Sequence, residues 1–330
     1  MVSTSTHFYR SGTIESSHSI KILVTDINNK PLINSGNKND LIYPRSSIKI
    51  FQAIPFIRSN AVNKYKLSSK NIALACSSHR GQLFHLKELK NWIIKLGISK
   101  NKLQCGVHSP LNKKASEMLY RSKKYPNQLH NNCAGKHLAM ISSCLINNYD
   151  VDNYLDFNHP HQISIRKIFE RFTKKKLEKK HFGIDGCSAP QYCFKIKDIG
   201  KMLTNLIKSY KGGFDFNHEV KILINSITAN PNYIGGTDSL DSQLMNIGNK
   251  KIFCKGGAEG VFLFIDLKKN MAGVIKVIDG NERAIPYVIY NLFNKLKVFN
   301  KSQLKQFQKI YNSQITNHAN IVIGSVKTNL

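Results

Sequence analysis

Ser46 and Lys49 stand three positions apart in the tetrad Ser46-Ser47-Ile48-Lys49. On a helix that spacing puts a hydroxyl and an amine on one face, within reach of each other. Pro44 suits the first turn of such a helix, which would set Ser46 near the positive end of its dipole. A lysine desolvated among Ile48, Ile50 and Phe51 gives up its proton more readily and becomes a usable base. A serine beside such a base is the Ser-Lys route to an acyl-enzyme. The tetrad alone is not specific, because Ser99 with Lys102 and Ser302 with Lys305 repeat its spacing.

Other short segments have the make-up of loops in a cleft. Ala75-Cys76-Ser77-Ser78-His79-Arg80-Gly81 follows an apolar stretch with small and polar groups. Asn131-Asn132-Cys133-Ala134-Gly135-Lys136-His137 leads into the helical run LAMISSCLI, where backbone N–H groups can meet an anion. Asp185-Gly186-Cys187-Ser188-Ala189-Pro190 is a tight acidic turn, and Lys255-Gly256-Gly257-Ala258-Glu259-Gly260 lets a ligand approach the backbone. The seven cysteines are odd in number and scattered, unlike a disulfide framework, and read as reduced thiols of a cytoplasmic protein. From spacing alone, Cys133 and Cys187 read as structural.

The elements that must position these residues follow from the pattern. Ile20, Ile22 and Val24 alternate, Asn28-Asn29-Lys30 turn, and Leu32-Ile33 return, which predicts a hairpin. Apolar positions 48, 50, 51, 54 and 57 predict a helix after Pro44, kinked at Pro55. Helical spacing recurs over 85–97, 112–122, 136–147, 162–178, 197–209 and 281–297. Strands are expected at 260–266 and 272–278, around Lys268-Lys269-Asn270, and at 320–327. Strands at both ends with helices between them predict one α/β body whose termini share a sheet, the middle helices forming a second lobe.

Composition narrows the function classes. With 330 residues and 41% hydrophobic content the chain can build a large core. No apolar run approaches the ~18 residues a membrane helix needs, and the N-terminal MVSTSTHFYRSGTIESSHS lacks the apolar stretch of a secretory signal. The net charge of +29 raises nucleic-acid binding, but 41 of the 49 basic residues are Lys and 8 are Arg, spread along the chain. Nucleic-acid surfaces favour Arg, whose fork matches phosphates and guanine edges. The dense run RFTKKKLEKK (171–180) reads as a solvated helix end.

Taken together the segments resemble the class 3, rhizobial-type L-asparaginases (the asparaginase II family). The resemblance covers nearly the whole chain. It runs from Arg10-Ser11-Gly12…Glu15-Ser16-Ser17-His18 through Pro44-Arg45-Ser46-Ser47…Lys49, Ser78-His79-Arg80-Gly81 and Cys105-Gly106…His108. It continues through Asn132-Cys133…Gly135-Lys136-His137, His159-Pro160…Gln162, Asp185-Gly186-Cys187, Lys255…Gly257-Ala258-Glu259-Gly260 and Lys276…Asp279-Gly280…Arg283. Ala134, Ser188 and Gln82 depart from the family pattern, and 230–239 lacks an expected Arg. These departures bear on substrate affinity and selectivity more than on reaction type.

The resemblance implies a single domain over 1–330 of α/β (α+β) class, similar to the serine β-lactamase and glutaminase fold, with a mainly antiparallel sheet flanked by helices plus a helical lobe. It implies hydrolysis of L-asparagine to L-aspartate and ammonia by two Ser-Lys pairs, Ser46 with Lys49 and Ser78 with Lys255. Arg45, His79, His137 and Asp185 would bind substrate, and Cys133, Lys136 and Cys187 would hold a zinc ion. A homodimer is also implied, with no membrane and no specific nucleic acid as partner. Two other readings stay open. A penicillin-recognising hydrolase would use Lys255-Gly256-Gly257 as its K-T-G element but lacks a convincing S-x-N. A basic nucleic-acid-binding protein would need Arg and aromatics clustered on one face.

Overall fold

The computed structural model describes residues 4–330. The chain divides into two compact units. The first comprises 4–47, Phe194–Ile207 and Leu244–Leu330, and the second Ile48–Cys193 and Lys208–Gln243.

The first unit is built on an eight-stranded antiparallel sheet. Its strands are β1 (Thr4–Arg10), β2 (Thr13–Asp26), β3 (Pro31–Ser35), β4 (Ile252–Gly257), β5 (Val261–Asp266), β6 (Met271–Val277), β7 (Gln314–Thr316) and β8 (Val322–Asn329). They lie in the order β7-β8-β1-β2-β6-β5-β4, with β3 beside β2. β2 is long enough to pair first with β1 and then, along Ile22–Thr25, with β3. The expected hairpin is therefore present. First and last strands are neighbours, Ser5 opposite Asn329.

β5 is buried along its whole length and reads as the near-continuous apolar run VFLFID. The helix Ile285–Lys295 covers it, the rings of Phe264 and Phe293 meeting edge to face at 5.0 Å. Gly273 on β6 leaves room for the Phe264 ring, which a Cβ there would meet at 2.0 Å. A polar clamp joins the sheet's first and last motifs. His18 hydrogen-bonds Asp279 at 2.6 Å, and Arg283 donates to His18 Nε2 at 2.9 Å and to Ser16 at 2.6 Å. The segments that carry the resemblance at 15–18 and 279–283 thus hold strands together.

The second unit is mostly helical. Trp92, Phe56, Phe51, Phe169 and Phe172 fill its interior, and the Trp92 indole donates to Ser142 at 3.0 Å. Two helices, Ser69–Ala75 and Ala134–Ile146, pack so closely that a Cβ on Gly135 would lie 2.1 Å from the Leu74 carbonyl oxygen. His159 caps the helix Pro160–Thr173 by accepting from the His161 N–H at 3.1 Å, with Pro160 in the first turn where its missing N–H costs nothing.

One expectation changes. The helix after Pro44 is not a single kinked rod: a 3-10 turn over Arg45–Ile48 leads into Lys49–Gln52 and then Ile54–Arg58, with Pro55 in the first turn of the last piece. Pro is tolerated there because it interrupts no bond of its own helix. Ser46 accordingly precedes the α-helix instead of lying within its first turn. Among the described residues no helix is long and apolar enough to cross a membrane.

Candidate active site

Arg45, Ser46 and Lys255 lie in the first unit. Arg45 has φ +53°, a left-handed backbone that is strained for a residue with a Cβ. The turn it starts is closed by Ser47, whose N–H and hydroxyl both bond the Pro44 carbonyl, at 3.2 and 2.6 Å. Ser46 is half-buried at its apex. β4 runs against this turn: a Cβ on Gly257 would come within 2.4 Å of the Pro44 oxygen and 3.3 Å of the Arg45 Cβ. Glycine is required because the two backbones touch. Lys255, two residues earlier on β4, is buried and donates to the Gly256 carbonyl at 2.8 Å.

The other candidate residues lie in the second unit. Lys49 is 1% exposed, and its amine donates to the Ser77 carbonyl and, at 3.2 Å, to the Ser78 hydroxyl. The Ser78 N–H is fixed by the Ile234 carbonyl at 2.8 Å. The rest of that loop anchors 236–238: Arg80 pairs with Asp238 at 3.0 Å and Gln82 grips Thr237 through two bonds of 3.0 Å. Gln82 and the Arg-less 230–239 segment, both departures from the family pattern, thus meet each other.

His79 and His137 are both fully buried. The Gly81 N–H donates to His79 Nδ1 at 3.2 Å, so the proton of that neutral ring sits on Nε2. His137 Nδ1 lies 2.6 Å from the Tyr154 hydroxyl. Neither Nε2 has a hydrogen-bond partner among the described residues. Burial, foremost, lowers the pKa of both rings, that of His137 to about 3. Both imidazoles are therefore neutral at pH 7.

Cys133, Lys136 and Cys187 come together. The Lys136 amine is 2.9 Å from Cys187 Sγ, and the Cys133 thiol hydrogen-bonds Cys187. That bond holds the Cys187 pKa below the ordinary thiol value and raises that of Cys133, which burial also raises. For Lys136, burial works against the charge but is outweighed by Cys187, Cys133 and Asp185, so its pKa goes up. Asp185 sits half-buried in its turn, and the left-handed Ser188 (φ +66°) closes that turn with an N–H to the Asp185 carbonyl at 2.8 Å. Two thiols and an amine form a soft donor set. Among the described residues no group of three or more His, Cys, Asp or Glu gathers as a metal site; this trio counts only two such residues.

The Cys105–His108 segment supports the Cys133 turn from behind. Asn131 donates to the Cys105 carbonyl at 2.7 Å, the Asn132 N–H to His108 Nε2 at 2.9 Å, and the Cys133 N–H to Asn131 at 2.9 Å. Sequence reasoning missed Tyr154, a lone tyrosine in an irregular stretch with no spacing signal, and the bond from Lys49 to Ser78. Only the fold pairs residues 29 positions apart.

Among solved structures, a β-lactamase from Mycobacterium bovis shares 8% identity with a TM-score of 0.39 over 88% of this chain and 92% of its own. A simvastatin synthase mutant from Aspergillus terreus shares 12% with a TM-score of 0.38, over 88% and 91%. At those scores the likeness carries no argument. No curated protein matches. The family profile for L-asparaginase II matches residues 6–328, nearly the whole chain. The chain belongs to the L-asparaginase II family.

Proposed function

We propose that the protein is an L-asparaginase that hydrolyses L-asparagine to L-aspartate and ammonia through a β-aspartyl enzyme. The Ser46 hydroxyl adds to the side-chain amide carbon and its proton passes to the neutral amine of Lys49. Collapse of the tetrahedral species breaks the C–N bond, and the proton leaves with ammonia. Water then attacks the ester, and Ser46 regains its proton as aspartate departs. Ser78 and Lys255 relay the proton to the leaving group or assist the water. Arg45, His79, His137 and Asp185 orient the amino acid. The observation that carries this reading is the buried Lys49 amine held on a serine hydroxyl, in a chain whose family is L-asparaginase II.

The same bond favours a second assignment of roles, in which Ser78 is the hydroxyl that Lys49 deprotonates and Ser46 the relay. Cys133, Lys136 and Cys187 fit a zinc ion, the donors being buried and in mutual contact. A zinc ion there would polarise an oxygen or a water by Lewis acidity. A cytoplasmic homodimer completes the proposal.

The test is ammonia release from asparagine and from glutamine by purified protein, beside hydrolysis of a chromogenic cephalosporin. Release from asparagine supports the reading. Cephalosporin turnover without ammonia would replace it with the penicillin-recognising alternative, and neither activity would remove both.

A further inference from the structure

The proton on His137 is assigned by a chain of hydrogen bonds that begins at the backbone. The Gln104 N–H has only one way to act, as a donor, and it donates to the Tyr154 hydroxyl at 3.0 Å. That hydroxyl accepts there, and His137 Nδ1, 2.6 Å away, is the one acceptor among its hydrogen-bond partners in the described residues for the phenol proton. A donated phenol proton makes Nδ1 an acceptor and leaves the ring proton on Nε2. The Nε2 atom is buried and has no partner among the described residues. An N–H without an acceptor costs on the order of 1–3 kcal/mol, so such a group is kept for a ligand or is a defect. Tyr154 is itself fully buried and is pinned by Gln162, which donates to its carbonyl at 2.9 Å from the helix His159 caps.

We propose that Tyr154 is a positioning residue that fixes His137 as an Nε2–H donor for an acceptor oxygen of the substrate. This rests on the asparaginase reading and sharpens it. His137 then acts as a donor. Its neighbourhood selects a carbonyl or carboxylate oxygen over an amide nitrogen, which would present a second donor. An asparagine carboxamide is thereby oriented with one defined end toward His137. His79 has the same arrangement, with the Gly81 N–H in place of the phenol.

The experiment uses full-length protein labelled with nitrogen-15 histidine, read by long-range nitrogen–proton correlation without substrate. The expected His137 pattern is a protonated Nε2 and an unprotonated Nδ1; a ring protonated on Nδ1 overturns the inference. In Tyr154→Phe the population should move toward the other tautomer, and kcat/KM for asparagine should fall about 10-fold, the scale of one hydrogen bond. Added to His137→Phe, the same change should cost nothing further. An equal loss in that background would show Tyr154 acting otherwise and would overturn its positioning role. The expected tautomer together with no asparagine hydrolysis would defeat the asparaginase reading while leaving the hydrogen-bond assignment intact.

Discussion

The amine of Lys49 sits 3.2 Å from the hydroxyl of Ser78 and also donates to the carbonyl of Ser77. A lysine that opens a helix by the 3-10 turn carrying Ser46 therefore holds the loop carrying the second serine. In the proposed mechanism Lys49 belongs with Ser46, so this one amine would serve both serines. Its loss should be felt by both.

Lys49→Met keeps the volume and removes the amine. It should lower asparagine turnover by on the order of 10³-fold or more, the scale for a residue acting in covalent catalysis. Ser46→Ala and Ser78→Ala should differ. The nucleophile's variant should give no acyl-enzyme burst, whereas the relay's variant should still form the ester and accumulate it. Rapid-quench mass measurement of the protein separates them. Near wild-type turnover in folded Lys49→Met would end the Ser-Lys assignment.

Gly257→Ala tests the contact between β4 and the Ser46 turn. A methyl group 2.4 Å from the Pro44 oxygen must displace one backbone or the other. Overpacking of this kind costs about 1–3 kcal/mol. We expect a lower melting temperature and a loss of kcat at least 10-fold greater than in Gly213→Ala, where a Cβ makes only ordinary contact, 3.8 Å from the Lys208 oxygen. Equal effects from the two substitutions would show that the contact does not position Ser46.

Metal content is the third measurement. Protein prepared with zinc and without chelator should retain close to one zinc ion per chain, favoured over magnesium or calcium by its thiolate donors. Cys133→Ser and Cys187→Ser should each reduce that content, as should Lys136→Met. Unaltered zinc in all three would place the ion elsewhere.

Acid stability should depend on His161. Burial, with His159 adding to it, lowers its pKa to about 3, and its Nε2 has no partner among the described residues. The folded pKa lies below the unfolded one, near 6.5. Its neutral form therefore supports folding fully above about pH 6.5, and that support is lost as pH falls toward about 3. His161→Gln should be close to wild type at pH 7.5 and lose less stability between about pH 6 and 4 in urea titrations. Parallel acid profiles would assign the effect to other groups.

Parts of this were legible because neighbours in sequence carry the signal. Ile20, Ile22 and Val24 alternate as a half-buried strand must, and 261–266 and 271–277 are too apolar to be elsewhere. β1 was hidden because its inward positions include Thr4 and Thr6, buried hydroxyls that do not register as a hydrophobic period. The helix Asn217–Ala229 starts after a left-handed Phe216 and so shows no capping residue. In the site, the Ser46 tetrad and the cysteines could be nominated by type. The partner of Lys49, the role of Tyr154 and the contact of Lys136 with Cys187 depend on chain returns of 29, 17 and 51 residues, which no local pattern encodes.

The pairing of β1 with β8 has a consequence for how the chain is made. As the polypeptide leaves the ribosome, β1 acquires β2 at once through a short hairpin, but its other edge stays open until residues 322–329 emerge. Both long segments of the helical unit, 48–193 and 208–243, are released before then. That unit can collapse on its own contacts while the sheet waits with an unpaired strand, the kind of edge that invites pairing with another nascent chain. Stop codons or nicks late in the message should therefore cost solubility out of proportion to the few residues they remove.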